Sequence, residues 1–149
     1  MTTLVERLAE LKRAGDYAAL VETIPYARWL GISIDGSSGE LRGKLEYSDM
    51  LVGNPALPAL HGGTLGALLE STAIFQLIWE QDTVVLPKTI NITIQYLRSA
   101  RPVTTWARGQ ITKQGRRVCN VRIEAWQEDR ARPVALADAH FLVAPLGEG

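Results

Sequence analysis

The chain has one cysteine, Cys119, and two histidines, His61 and His140. A lone thiol cannot close an internal disulfide, and three such residues so widely scattered do not give the ligand spacing of a metal site. Net charge is missing too. Sixteen basic residues are matched by sixteen acidic ones, which removes any overall pull toward nucleic acid or anionic lipid and requires an anion site to be local. No basic start leads into an apolar block with a cleavage site, and repeats, low-complexity tracts and linker-like stretches are absent. These absences predict a single cytosolic domain over residues 1–149, with no metal, no resident cofactor, and neither nucleic acid nor membrane as a partner.

What is present is apolar, at 46% of residues, enough to bury a core. The run His61 to Trp79 organises the rest. Leu65, Leu68, Leu69, Ala73, Phe75, Leu77, Ile78 and Trp79 leave almost no polar face, so the run reads as a helix buried on most sides. Glu70 is its one charged residue. A membrane span is disfavoured, since a central carboxylate costs roughly 2.5 to 3.5 kcal/mol on insertion scales. In a protein core an unpaired carboxylate is also costly, so Glu70 is either matched by a partner or reserved for chemistry.

Around that helix the pattern is mostly strand. Thr3 and Glu6 suggest a capping box for a helix carrying Leu4, Leu8 and Leu11 up to Gly15, and Asp16 can cap a second short helix ending before Pro25. Ile32 and Ile34, a turn over residues 35–39, then Leu41, Gly43 and Leu45 predict a hairpin. Residues 48–60, with Gly53, Asn54, Pro55 and Pro58, predict an ordered loop. Four strand-like runs follow the helix, Val84–Arg98, Val103–Thr112, Arg117–Glu128 and Val134–Val143, punctuated as in an antiparallel meander. In the first, Ile90, Ile92, Ile94 and Tyr96 share one face, and Thr89, Asn91, Thr93 and Gln95 share the other. The expected class is α+β: about six antiparallel strands wrapped round one long helix, with an extra N-terminal helix.

Two places could carry chemistry. Gly62 and Gly63 open the helix without side chains, leaving backbone N–H groups and the positive end of the dipole accessible to an oxygen atom, able to polarise a carbonyl. The alternative is close helix packing. Glu70 lies eight residues on, roughly 12 Å along the helix. One chain cannot bring both to a single carbon, so a shared site requires two subunits about a two-fold axis. For Glu70 the alternative is a core acid tied to an Arg or hydroxyl; for His61, a structural cap is favoured over a catalytic base. Trp79, Tyr96, Trp106 and Trp126 read as core packing.

The pattern Pro25-Tyr26-Ala27-Arg28-Trp29-Leu30-Gly31-Ile32, Asn54, His61-Gly62-Gly63 with an acid nine residues past the His, Tyr96-Leu97-Arg98 and Gly115-Arg116-Arg117 resembles the hotdog-fold acyl-CoA thioesterases. It looks most like their phenylacetic-acid-degradation branch, over roughly residues 25–145. The resemblance implies that the Gly62 amide, beside His61, polarises a thioester carbonyl while Glu70 of the partner subunit acts as nucleophile or as base for water. Asn54 would place the water or thioester, and Thr89 would orient Glu70 or the water. Gly63, Tyr96, Arg98, Arg101, Arg116 and Arg117 would bind substrate, the arginines as forked donors to phosphates. Many members of that branch have Asp at the Glu70 position, whereas the hydroxybenzoyl-CoA branch has Glu. The Asn-to-His spacing is one residue longer than the pattern. Coenzyme A would enter as part of the substrate, and the assembly would be a homodimer or dimer of dimers. A non-catalytic acyl-CoA-binding module has no need of Glu70. An enoyl-CoA hydratase would need an Asp–His pair that is not seen.

Overall fold

Thr3 and Glu6 form the expected reciprocal cap: the Glu6 N–H donates to Thr3 Oγ1 at 3.2 Å and the Thr3 N–H to Glu6 Oε2 at 2.7 Å. They start α1 (Leu4–Ala14), which Gly15 ends at φ 66°. The computed structural model describes residues 1–82 and 84–144; Thr83 and 145–149, the last part of the expected domain range, lie outside the described residues. Asp16 caps α2 (Tyr17–Glu22) through the Ala19 N–H. A third helix, α3 (Pro25–Leu30), was not legible beforehand. It starts on a proline, whose fixed φ suits a first turn, but six residues hold too little periodicity to announce a helix.

The hairpin is β1 (Ile32–Asp35) and β2 (Arg42–Leu45), paired Ile32 to Leu45. The expected loop instead contains a 3-10 turn (Asp49–Leu51) and a small ladder of β3 (Val52–Asn54) and β4 (Ala59–Leu60). Its register shifts between Val52 and Asn54, a bulge that absorbs one residue. The central helix is α4 (Gly62–Glu80), with Leu68, Leu69, Ala73, Leu77 and Ile78 fully buried. Then come β5 (Lys88–Tyr96), β6 (Thr105–Gln114), β7 (Val118–Trp126) and β8 (Ala135–Leu142).

These strands and the first hairpin form one six-stranded antiparallel sheet in the order β1-β2-β6-β7-β8-β5. The simple meander therefore needs correcting. β6, β7 and β8 are consecutive neighbours, but β5 crosses over to pair with β8 and becomes an edge. Alternation specifies which face a residue occupies, not which strand lies beside it. Ala107, Val121, Ile123, Ala137, Ala139 and Phe141 point to one side and pack with α4 in a single core.

The face assignment in β5 also changes. Its register shifts between Thr89 and Asn91, so that Thr89 lies opposite Phe141 while Ile92, Ile94 and Tyr96 lie opposite Ala139, Ala137 and Ala135. Directly opposed residues share a face. Thr89 thus joins the helix-facing side, and the bulged Ile90 is left 54% exposed.

Candidate active site

His61 builds the helix start. Its Nδ1 accepts the Gly63 N–H at 2.8 Å, its carbonyl accepts the Thr64 hydroxyl at 2.7 Å, and its own N–H donates to the Leu51 carbonyl at 2.8 Å. The imidazole thus acts as the N-cap, while the His61 main chain ties the 3-10 turn to α4. The Gly63 amide is consumed by this cap. The Gly62 N–H has no hydrogen-bond partner among the described residues, and it sits at the positive end of the α4 dipole.

Tyr96, at the end of β5, closes over that glycine. Its hydroxyl donates to the Gly62 carbonyl at 2.8 Å, and a Cβ at Gly62 would stand 3.2 Å from the ring. A groove of about 430 Å³ opens here, lined by Gly62, Leu65, Tyr96, Leu97, Arg98 and Ser99. It combines one free backbone donor with the apolar side chains of Leu65 and Leu97 and the charged Arg98.

The column Gly62, Gly66, Glu70 runs along the helix face opposite β5. A Cβ at Gly66 would meet Ile94 Cδ1 at 3.1 Å, as one at Gly62 would meet Tyr96. Four helical residues rise about 6 Å and two strand residues about 6.6 Å, so the column stays in step and Glu70 falls level with Ile92. Thr89 is one inward position further along. Glu70 is half-buried and its carboxylate makes no hydrogen bond or ion pair with a described residue, which excludes the reading of a core acid tied to an Arg or a hydroxyl among the described residues of its own chain.

The other candidates separate. Asn54 is exposed at the tip of the small ladder, and its Oδ1 accepts the Ala56 N–H at 3.0 Å, outside the Gly62 groove. Arg101 pairs with Glu128 at 2.6 Å. Arg116 and Arg117 occupy the β6–β7 turn beside the Val118–Leu142–Lys88 end of the sheet, whereas Tyr96 pairs at the Ala135 end. Eight strand residues, roughly 25 Å, separate those ends. Within one chain the four arginines therefore do not converge. Of the aromatic residues, only Tyr96 reaches the groove; Trp79 packs on Tyr17 with ring centroids 4.8 Å apart, and Trp126 lies under Arg130. Cys119 is fully buried, and burial pushes its thiol pKa up, which makes it a packing residue rather than a nucleophile. Among the described residues no group of three or more His, Cys, Asp or Glu could hold a metal, and no helix is long and apolar enough to cross a membrane.

Residues 57–134, from the small ladder through β7, match the model of a family described as the thioesterase superfamily. The chain belongs to the thioesterase superfamily. A protein from Chromobacterium violaceum, 42% identical, superposes with a TM-score of 0.77 over 95% of this chain and 98% of that one. A phenylacetic acid degradation-related protein from Ralstonia eutropha is 26% identical, with a TM-score of 0.73 over 91% and 98% of the two chains. A Bacillus halodurans protein solved with CoA shares the fold at 19% identity, with a TM-score of 0.71 over 97% and 96%. No curated protein gives a significant match. The hotdog fold expected from the resemblance is the fold of this superfamily member: an antiparallel six-stranded sheet around α4. The hydrogen bond from Tyr96 to the Gly62 carbonyl was not legible in the sequence.

Proposed function

We propose that this protein hydrolyses an acyl-CoA thioester to the free acid and CoA. The Gly62 N–H of one protomer would polarise the thioester carbonyl, and the partner's Glu70 would attack it or activate the attacking water. The observation that carries the reading is a pair of unused groups on one column: a helix-tip donor without an acceptor and a half-buried carboxylate without a partner. Membership of the superfamily supports thioester hydrolysis, and the CoA bound to the Bacillus halodurans protein supports CoA as the thiol carrier.

The reading requires a dimer, and β5 offers the place for one. It is a nine-residue edge strand with exposed Ile90 and Tyr96, and exposed Leu97 follows it. Such an unprotected edge is a template for pairing. If two β5 strands pair antiparallel with Tyr96 opposite the partner's Ile92, the Gly62 tip stands over the partner's Glu70, and the twelve-ångström separation within one helix ceases to matter. That pairing makes two equivalent sites. It would also bring the partner's Arg116 toward the end where Arg98 stands.

The test is complementation. Glu70→Gln and Gly62→Pro chains, each inactive alone, should regain one complete site when mixed as heterodimers. Absence of activity in confirmed heterodimers would refute the shared site. Glu70→Gln alone should reduce kcat by about 10² to 10⁴ with the circular dichroism unchanged. A binding module on the same fold would retain its CoA affinity in both variants and show no turnover in the wild type.

A further inference from the structure

The Gly62 N–H belongs to the peptide that joins His61 to Gly62. The oxygen of that same peptide takes two donors from one residue, the Thr64 N–H at 3.0 Å and the Thr64 hydroxyl at 2.7 Å. In a planar trans peptide the C=O and the N–H point in opposite directions. Holding the carbonyl back along the first turn therefore aims the N–H outward from the helix tip. The next peptide, Gly62 to Gly63, is held at both ends: its carbonyl accepts the Tyr96 hydroxyl at 2.8 Å, and its N–H donates to His61 Nδ1 at 2.8 Å. Two fixed planes thus flank Gly62, although glycine has the widest backbone freedom of any residue.

A threonine in a helix often satisfies its hydroxyl on a carbonyl one turn back, so the bond from Thr64 has a purely local explanation to answer. The same helix supplies the comparison. Thr72 is fully buried, and its Oγ1 has no hydrogen-bond partner, so α4 does not impose such a bond on every threonine it carries. Thr64 is only partly buried, and water competes for its hydroxyl. The bond is nevertheless made, and its acceptor is the far end of the peptide whose N–H is free. Hydrogen bonds linked through one amide polarise one another, so donation to the His61 carbonyl also makes the Gly62 N–H a stronger donor.

We propose that Thr64 is a positioning residue for thioester hydrolysis, its hydroxyl aiming and polarising the Gly62 N–H through the His61 carbonyl. The inference rests on the hydrolytic reading of Gly62. Thr64 touches no reacting atom. Its effect falls on kcat, because a preorganised donor gains most where negative charge develops on the oxygen in the transition state.

The experiment uses the full assembled protein and whichever of phenylacetyl-, benzoyl-, hexanoyl- and palmitoyl-CoA the wild type turns over fastest. Thr64→Val keeps the branched shape and removes the hydroxyl; Thr64→Ser keeps the hydroxyl. Thr64→Val should lower kcat about tenfold at unchanged KM, less than the roughly 10²-fold or more lost with an oxyanion donor itself, and Thr64→Ser should stay within about twofold of the wild type. Thr64→Ala repeats the test should Thr64→Val not fold. A second readout needs no turnover. In a Glu70→Gln background the same thioester, isotope-labelled at its carbonyl carbon, should show a lowered C=O stretching frequency in infrared difference spectra when bound, and adding Thr64→Val should shrink that shift. An unchanged kcat, an unchanged carbonyl shift, or a loss that Thr64→Ser shares would overturn the role of the hydroxyl while leaving hydrolysis intact. A wild type that turns over none of these thioesters, with no carbonyl shift in the Glu70→Gln protein, would overturn the hydrolytic reading and this role with it.

Discussion

A Cβ added at Gly43 would lie 2.1 Å from Thr72 Oγ1 and 3.2 Å from Thr72 Cβ, on the buried side of β2 where α4 presses closest. Thr72 is itself fully buried and β-branched, so it has no room to swing away. Gly43→Ala should therefore cost about 1–3 kcal/mol as overpacking, seen as a lower urea midpoint at unchanged slope. Gly66 is the contrast. Its added Cβ would meet the tip of Ile94 at 3.1 Å, on a half-buried position of the edge strand, and the Tyr96 hydroxyl at an ordinary contact distance of 3.8 Å. Removing a helical glycine returns up to about 1 kcal/mol, so Gly66→Ala should equal or exceed the wild type in stability. Equal penalties for both substitutions would contradict this packing argument. At the helix start, His61→Ala removes the acceptor for the Gly63 N–H, a loss of about 0.5–2 kcal/mol.

At the scale of elements, the outer face of the sheet is tied together through Glu40. Its carboxylate faces Arg130 at 3.2 Å, Arg42 at 3.1 Å and Arg108, while Arg130 also reaches Glu124 at 3.0 Å and stacks on Trp126. The hydrogen bond from Arg130 is the main cause of a Glu40 pKa below the ordinary glutamate range, acting against its partial burial. A carboxyl with a depressed folded-state pKa adds stability at pH values above its unfolded value, and that stability is lost as pH falls through the folded value. Unfolding free energy should decline as pH drops below about 4.5, and Glu40→Gln should flatten that part of the profile while lowering stability at pH 7. An unchanged acid limb in the variant would sink the assignment.

The elements themselves were largely legible: the capping box of α1, the β1–β2 hairpin, α4 to within a residue or so, and the centres of β5 to β8, because each has a period or a punctuation of its own. Partnerships were not. Nothing in Ile92 to Tyr96 says that β8, rather than β6, lies alongside, and the bulge that turns Thr89 inward and Ile90 outward leaves no mark on an alternating pattern. In the candidate site, Gly62 and Glu70 stood out as local anomalies in an apolar run. The part Tyr96 plays there did not, since an aromatic at a strand end reads as packing until β5 lies beside α4 and the tyrosine hydroxyl reaches the Gly62 carbonyl.

For the whole molecule, the decisive question is what covers β5 and the incompletely buried stripe of α4 beside it. Ile90 is 54% and Leu97 45% exposed at opposite ends of the same edge, an arrangement that natural sheets avoid on a free edge by placing charge or proline there. A second copy would cover both and bring its own Glu70 to the Gly62 tip. Ile90→Lys combined with Leu97→Lys installs the charges that a monomeric edge would carry. Neither residue is buried, so the fold should survive, with circular dichroism unchanged, while sedimentation velocity shows a shift from dimer to monomer. Thioesterase turnover should fall with the dimer fraction and recover as protein concentration is raised. A double variant that sediments as a monomer with full specific activity would show that a single chain suffices, and the division of the site between protomers would have to be abandoned.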